Sequence, residues 1–217
     1  MARTRARDYD VKRQEILRQA AKLFAEHGYS GTSITMIAEA CGVSRSLLYY
    51  YYAEKDSVLF DILHNNLSIQ LGAAEKACRS VEDPKENFLA IIVAMLEFSQ
   101  HNEQERHVRM KNLELLSEDK RKQLQDLERK LVAILSKSIA AAVPTVGKGP
   151  LLKALTMSVF SMLNWHFRWF RDGVGLTRNE YAQLVAQMVL AGAPVAAADL
   201  PARTLTAAIR KRPRKIS

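Results

Sequence analysis

Apolar residues recur at three- and four-residue spacing along most of the chain, and no convincing run alternates apolar with polar positions as a half-buried strand would. In residues 11–27, Ile16, Ala20, Leu23, Phe24 and His27 share one helix face. Asp10 stands where a cap would accept the first amides, and Gly28 where a C-terminal glycine belongs. Thr32 or Ser33 then caps a short helix to about Cys41, with Ile34, Ile37 and Ala38 facing inward. Gly42 supplies a turn, and Ser44 caps a second short helix to about Tyr50, anchored by Leu47 and Leu48. A long segment over 54–80 carries Val58, Leu59, Ile62, Leu63 and Leu67.

Asp83-Pro84 opens a more apolar helix with Phe88, Ile91, Ile92, Met95, Leu96 and Phe98. A segment over 103–116 leads to Ser117-Glu118-Asp119, which starts a helix marked by Leu124, Leu127, Leu131, Ile134, Leu135 and Ile139 and ended by Pro144. A loop over 143–150 and a helix over 151–171 follow, closed by Gly173 and Gly175. Thr177-x-x-Glu180 is a capping box for a helix over 178–191, whose apolar face is Tyr181, Leu184, Val185 and Met188. Beyond Gly192 and Pro194 the chain turns Ala-rich and then basic, the composition of a flexible tail. The expected fold is all-α: an N-terminal three-helix helix-turn-helix domain over 1–53, a larger helical domain over 54–193, and a basic tail over 194–217.

Composition narrows the class. The chain has 217 residues, 48% of them hydrophobic, which suits a globule with a sizeable core. No charge-free apolar stretch approaches the roughly 18 residues of a membrane span, the longest aliphatic one being 89–96. No apolar segment follows Arg3, Arg5 and Arg7 as a secretory signal would require. Two cysteines, Cys41 and Cys78, make neither a disulfide framework nor a Cys-based zinc site. A cytoplasmic protein without a membrane partner is expected.

Lys+Arg is 32 against Asp+Glu 23, a net charge of +9 that points to nucleic acid or another acidic partner. Its distribution changes that picture. Residues 1–13 carry +3 and residues 201–217 carry +6, leaving 14–200 neutral. Recognition in the body of the chain must therefore rest on a few placed groups.

A helix, a short capped helix, a glycine turn and a second short capped helix are the parts of a helix-turn-helix. The start of its second helix enters the major groove. Ser44, Arg45 and Ser46 occupy that start. Arg45 can bond guanine O6 and N7 together, and helix-start amides and hydroxyls can hold phosphate. Tyr49-Tyr50-Tyr51-Tyr52 cannot all point one way on a helix, so some rings pack inward while outward phenols donate to phosphate. Lys55 offers an ammonium at the start of the next helix.

Over 28–56, Gly-Tyr-x-x-Thr-Ser-Ile-x-x-Ile-Ala-x-x-Cys-Gly-Val-Ser-Arg-Ser-x-Leu-Tyr-x-Tyr-Tyr-x-x-Lys-Asp closely resembles the DNA-binding signature of TetR-family transcriptional regulators. Tyr52 stands where the family usually has Phe, Asp56 where it has Glu, and Ser46 where Gly is common. The resemblance implies a homodimer on double-stranded DNA with an inverted-repeat operator, a C-terminal pocket for a small-molecule effector, no cofactor, and pairing through the last two helices of each subunit. It carries the DNA-facing role to Ser33, Thr35, Ser44, Arg45, Ser46, Leu47, Tyr49, Tyr50 and Lys55.

Asn164-Trp165-His166-Phe167-Arg168-Trp169-Phe170 holds both tryptophans, four apart on the expected helix. It is similar to a segment of TetR-family regulators of fatty-acid and aromatic-acid catabolism, which respond to acyl-CoA thioesters. Asn164, Trp165 and Trp169 would then border an acyl pocket and Arg168 would meet CoA phosphates, with Met95, Phe98, Arg106 and Arg109 opposite. The plainer assignment makes the tryptophans core or dimer-interface aromatics, and a multidrug-type repressor sensing lipophilic compounds is the alternative function. His101 and His107, with Glu103 and Glu105 between them, are poorly spaced for a metal. No nucleophile elbow, P-loop, zincin or dinucleotide fingerprint occurs, so an enzyme is not expected.

Overall fold

Helix is the only regular structure among the described residues, which in this computed structural model are 2–101, 112–171 and 173–199, with side chains described over 9–98, 112–171 and 173–199. The helices are α1 (Ala2–Gly31), α2 (Ile34–Ala40), α3 (Arg45–Tyr51), α4 (Lys55–Ser80), α5 (Pro84–His101), α6 (Glu118–Ala142), α7 (Pro150–Trp165) and α8 (Arg178–Asp199). Short 3-10 turns lie at Leu113–Leu115, Pro144–Val146 and His166–Arg168.

Two compact units divide the chain: Met1–Gly72 with Ser99–Arg129, and Ala73–Phe98 with Lys130–Ser217. In the first, α1 contributes Ile16, Leu17, Ala20, Ala21 and Phe24 to the core. They meet Ile37 and Ala38 of α2, Leu48 of α3, and Val58, Leu59, Ile62, Leu63 and Leu67 of α4. The second core joins Phe88, Ile91, Ile92, Met95 and Leu96 of α5 to Leu135 and Ile139 of α6, Val159 and Leu163 of α7, and Tyr181, Val185 and Val189 of α8.

Several boundaries differ from the sequence expectation. α1 begins at Ala2, so Asp10 lies inside the helix rather than capping it. The Ala- and Arg-rich start favours helix, and nothing before Asp10 interrupts it. The break comes at Gly28, with φ 73° and ψ 167°, a conformation open in practice to glycine alone. α7 stops at Trp165 instead of continuing to 171. α8 runs through Pro194 to Asp199, so the expected tail is helical over 194–199, and 200–217 lie outside the described residues. Proline removes only one amide there, and the alanines around it favour helix.

α8 also corrects the membrane estimate, being long and apolar enough by length and composition to cross a bilayer. Its Tyr181, Ala182, Val185, Ala186, Val189 and Ala193 are instead buried in the second core. The expected capping box is present: the Thr177 amide donates to Glu180 Oε2 at 2.7 Å, and the Glu180 amide to Thr177 Oγ1 at 3.2 Å. The hydrogen bond from the Thr177 amide, reinforced by its hydroxyl, holds the Glu180 carboxyl below its usual range.

Candidate DNA interface

α3 is a seven-residue helix that presents most of its side chains outward. Ser44 is extended (φ −67°, ψ 151°), and its Oγ accepts the Leu47 amide at 3.1 Å. That bond satisfies one of the orphan donors at the helix start. Leu48 is fully buried and anchors the helix, while Arg45, Ser46, Leu47, Tyr49 and Tyr50 are exposed. The capped end therefore projects a guanidinium, a hydroxyl and two phenols from a fixed backbone. α2 enters the same way, with Ser33 Oγ accepting the Met36 amide at 3.1 Å and Thr35 half-buried. Between the helices, Gly42 (φ 61°) and Val43 donate to Glu39 O and Ala38 O, each at 3.0 Å, closing a tight turn.

The four tyrosines divide as a helix end requires. Tyr49 is 49% exposed and Tyr50 73%. Tyr51 is half-buried, and its ring stacks on Tyr9 of α1 with centroids 4.7 Å apart. Tyr52 is buried near the Arg13–Asp61 ion pair, whose closest atoms are 2.5 Å apart. Burial, then the negative charge of Asp61, push the Tyr52 phenol well above its ordinary pKa and keep it neutral.

Lys55 has work inside the unit. Its Nζ donates to Tyr29 O at 2.7 Å and Thr32 O at 2.8 Å, and lies 4.2 Å from the centre of the Tyr29 ring. The Tyr29 hydroxyl donates to Asp56, and burial together with that carboxylate raises the phenol's pKa. Thr32 Oγ1 faces Gly28 O at 2.8 Å and Leu23 O at 3.1 Å. The end of α1 and Thr32 after it are thus tied to the start of α4 by an ammonium, a ring and the Tyr29 hydroxyl, while the Thr32 hydroxyl bonds back to α1. Tyr9 carries no signal in the sequence pattern, because its partners are far away along the chain, and Tyr29 falls within the 28–56 signature without its role being legible there. Cys41 is half-buried, and burial raises its thiol pKa, as suits an inert packing residue.

The candidate effector residues are placed less uniformly. Met95 is buried in the second core and Phe98 is half-buried. Asn164 Nδ2 donates to Phe160 O at 2.8 Å. Trp165 and Trp169 are 51% and 57% exposed, and Arg168 lies 5.0 Å over the Trp165 ring. Arg106 and Arg109 lie outside the described residues.

The two tryptophans do not share a helix face, because α7 ends between them. His166 is fully buried; its Nδ1 is 2.7 Å from Leu163 O, and its Nε2 is 3.1 Å from an Arg178 nitrogen. A guanidinium only donates and a carbonyl only accepts, so the proton sits on Nδ1. This inward histidine, together with the bonds from the Trp169 and Phe170 amides to His166 O, turns the chain into a 3-10 segment. Trp169 then packs edge-on against Tyr181 with centroids 5.3 Å apart.

Comparison with known proteins places this geometry in a family. Residues 16–62 match the family described as bacterial regulatory proteins, tetR family, and residues 81–193 the tetracyclin repressor-like C-terminal domain. The HTH-type transcriptional regulator HbdR of Aromatoleum sp. (strain CIB) is 28% identical over 132 residues, which are 61% of this chain and 58% of that protein. The crystal structure of a TetR-family transcriptional regulator from Bordetella parapertussis 12822 is 32% identical, over 82% of this chain and 93% of that one, with a TM-score of 0.75. AibR in complex with isovaleryl coenzyme A and operator DNA shares the fold at 22% identity and a TM-score of 0.70, over 82% of this chain and 97% of that one. With both halves matched and α3 capped and exposed within the first, the chain belongs to the TetR family of DNA-binding transcriptional regulators and is not an enzyme.

Proposed function

We propose that the protein is a homodimeric repressor that acts in the cytoplasm and leaves an inverted-repeat operator when an acyl-CoA thioester binds. The observation that carries the DNA side is the outward face of α3, where Arg45, Ser46, Leu47, Tyr49 and Tyr50 are exposed behind the Ser44 cap. Arg45 reads a guanine edge in the major groove. Ser33, Thr35, Ser44, Ser46, Tyr49, Tyr50 and Lys55 meet phosphates or the groove wall, and Leu47 offers an apolar contact. Two copies of α3 about one helical turn of DNA apart fit an inverted repeat. The division of labour is a reading head over 1–53, an effector and dimerisation part over 54–193, and a basic tail over 194–217.

Pairing of two copies is supported by an apolar stripe on α8. Leu184, Met188 and Val195 are exposed there, on a stripe that borders the buried Tyr181, Val185 and Val189. Support for the effector class comes from AibR, which shares this fold and was crystallised with isovaleryl coenzyme A and operator DNA. The exposed Trp165, Arg168 and Trp169 add aromatic and cationic groups suited to a nucleotide-bearing thioester, with Asn164, Met95 and Phe98 of the same unit as further candidates. Effector binding shifts the dimer to a state with mismatched half-site spacing, which requires unequal affinity for the two states.

Fluorescence anisotropy on operator DNA tests both parts. Arg45→Ala should cost about 1–3 kcal/mol in operator binding and relax discrimination at one base pair, with the dimer intact. Acyl-CoA thioesters should release the operator while the matching free acids do not. Release by lipophilic compounds, with no response to a thioester panel, would transfer the protein to the multidrug-type class.

A further inference from the structure

The recognition helix makes a long-range contact that its own sequence motif does not contain. Tyr9 of α1 stacks on Tyr51, with centroids 4.7 Å apart and planes 23° from parallel. It also meets Tyr50 edge-on at 6.3 Å. Tyr50 and Tyr51 pack edge-on against each other at 5.5 Å, so the three rings form one cluster. These separations and angles lie in the favourable range for aromatic pairs. The cluster sits at the last turn of α3, beyond the single buried anchor Leu48. A seven-residue helix with one interior side chain of its own has little intrinsic stability, and its final turn is held by the buried Tyr52 at the C-terminal cap together with the Tyr9 stack on Tyr51. Tyr50 is the most exposed ring of the three, and its ring meets those of Tyr9 and Tyr51.

We propose that Tyr9 is a positioning residue of the DNA interface, acting through Tyr51 and Tyr50 to hold the end of the recognition helix where the Tyr50 phenol meets a backbone phosphate. Tyr9 itself need not touch DNA. Flat stacking on Tyr51 removes rotational freedom from that ring, and the edge contacts pass the restraint to Tyr50. In free protein this pre-organises the phenol, so less side-chain entropy is lost when the operator binds. The inference rests on the DNA-facing assignment of Tyr50, and the experiment below separates the two.

The measurement is operator affinity of the full-length protein for a double-mutant cycle between Tyr9 and the Tyr50/Tyr51 pair, with thermal unfolding of each variant as the control for folding. Tyr9 lies well before the first buried core residue, Ile16, and is itself 37% exposed, so substitutions there should leave the folded unit standing. Tyr9→Leu should weaken operator binding by about tenfold, the scale of losing aromatic contacts worth about 1.4 kcal/mol. Tyr9→Phe, which keeps the stack and loses only the hydroxyl, should bind as the parent does. In the Tyr50→Ala/Tyr51→Ala background, Tyr9→Leu should have no further effect.

A full additional loss in that background would overturn the proposal, because Tyr9 would then act independently of the pair. Parent-like binding by Tyr9→Leu would overturn it as well, as would a loss in Tyr9→Phe equal to that in Tyr9→Leu. Tyr50→Phe reports on the underlying assignment alone. If it binds normally, the phenol makes no phosphate contact and the proposal falls with that assignment. If it binds weakly while Tyr9→Leu does not, only the positioning role is lost.

Discussion

Lys55 shows how one ammonium can be tied to structure at a position expected to serve DNA. Removing the side chain takes away its bonds to Tyr29 O and Thr32 O and its seat on the Tyr29 ring, leaving Tyr29 O with the Thr32 amide alone. Hydrogen bonds to charged groups contribute about 1.5–3 kcal/mol, so Lys55→Ala should lower unfolding free energy by about 2–3 kcal/mol in urea titrations. Unchanged stability with a salt slope of operator binding reduced by about one unit would assign the ammonium to a phosphate instead. Glu15 permits a second reading at this scale. Hydrogen bonds from Arg18 and then Gln19 hold its carboxyl at about 2. A depressed folded-state value stabilises the protein above the unfolded carboxyl pKa, and the contribution disappears as pH falls from about 4.5 toward 2. The Arg18–Glu15 pair is largely exposed, so the effect is small, below about 1 kcal/mol. Glu15→Gln should therefore lower the urea midpoint slightly at neutral pH and flatten its decline across that pH window.

Elements were legible where local chemistry decided them. Ser44 before α3, Asp83-Pro84 before α5 and the Thr177–Glu180 box before α8 each act within one helical turn, so their residues alone identify the start. Endings decided by tertiary contacts were not legible. Trp165–Phe170 contains no glycine or proline, and only the buried His166 with Leu163 and Arg178 explains why α7 stops. The tyrosine run showed that some rings must be inward, but not that Tyr51 would meet Tyr9. Ser44 gives the sharpest test of an element and its function together. Ser44→Ala removes the cap and should cost about 1 kcal/mol in stability, with a fall in operator affinity. Ser44→Asp keeps a capping oxygen and suits the helix dipole, so the protein should be as stable as the parent. Its carboxylate would face the operator phosphates, and binding should drop by about tenfold or more. Equal operator affinity for parent and aspartate variant would show that the end of α3 does not approach DNA.

The faces of α8 carry the prediction for the whole molecule. Tyr181, Leu184, Val185 and Met188 look like one apolar stripe in sequence, yet Tyr181 and Val185 are buried while Leu184 and Met188 are 41% and 55% exposed. The pattern could not separate them, since α8 is apolar on both sides and a helix of that kind is covered on both sides in its working state. Its own unit covers one side, through Tyr181, Ala182, Val185, Ala186 and Val189. In the proposed homodimer a second copy would cover the other, with residues on the stripe meeting their counterparts across a two-fold axis. Leu184→Asp with Met188→Asp should leave helix content close to the parent's, because neither side chain fills the core, while the unfolding midpoint falls by what pairing contributed. Sedimentation should then report a monomer in place of a dimer. Operator affinity should fall by about a hundredfold or more, since each half-site must be bound without the effective concentration that linkage provides. A variant that remains dimeric would move the pairing surface away from α8, whereas a monomer with undiminished operator affinity would remove the need for two half-sites.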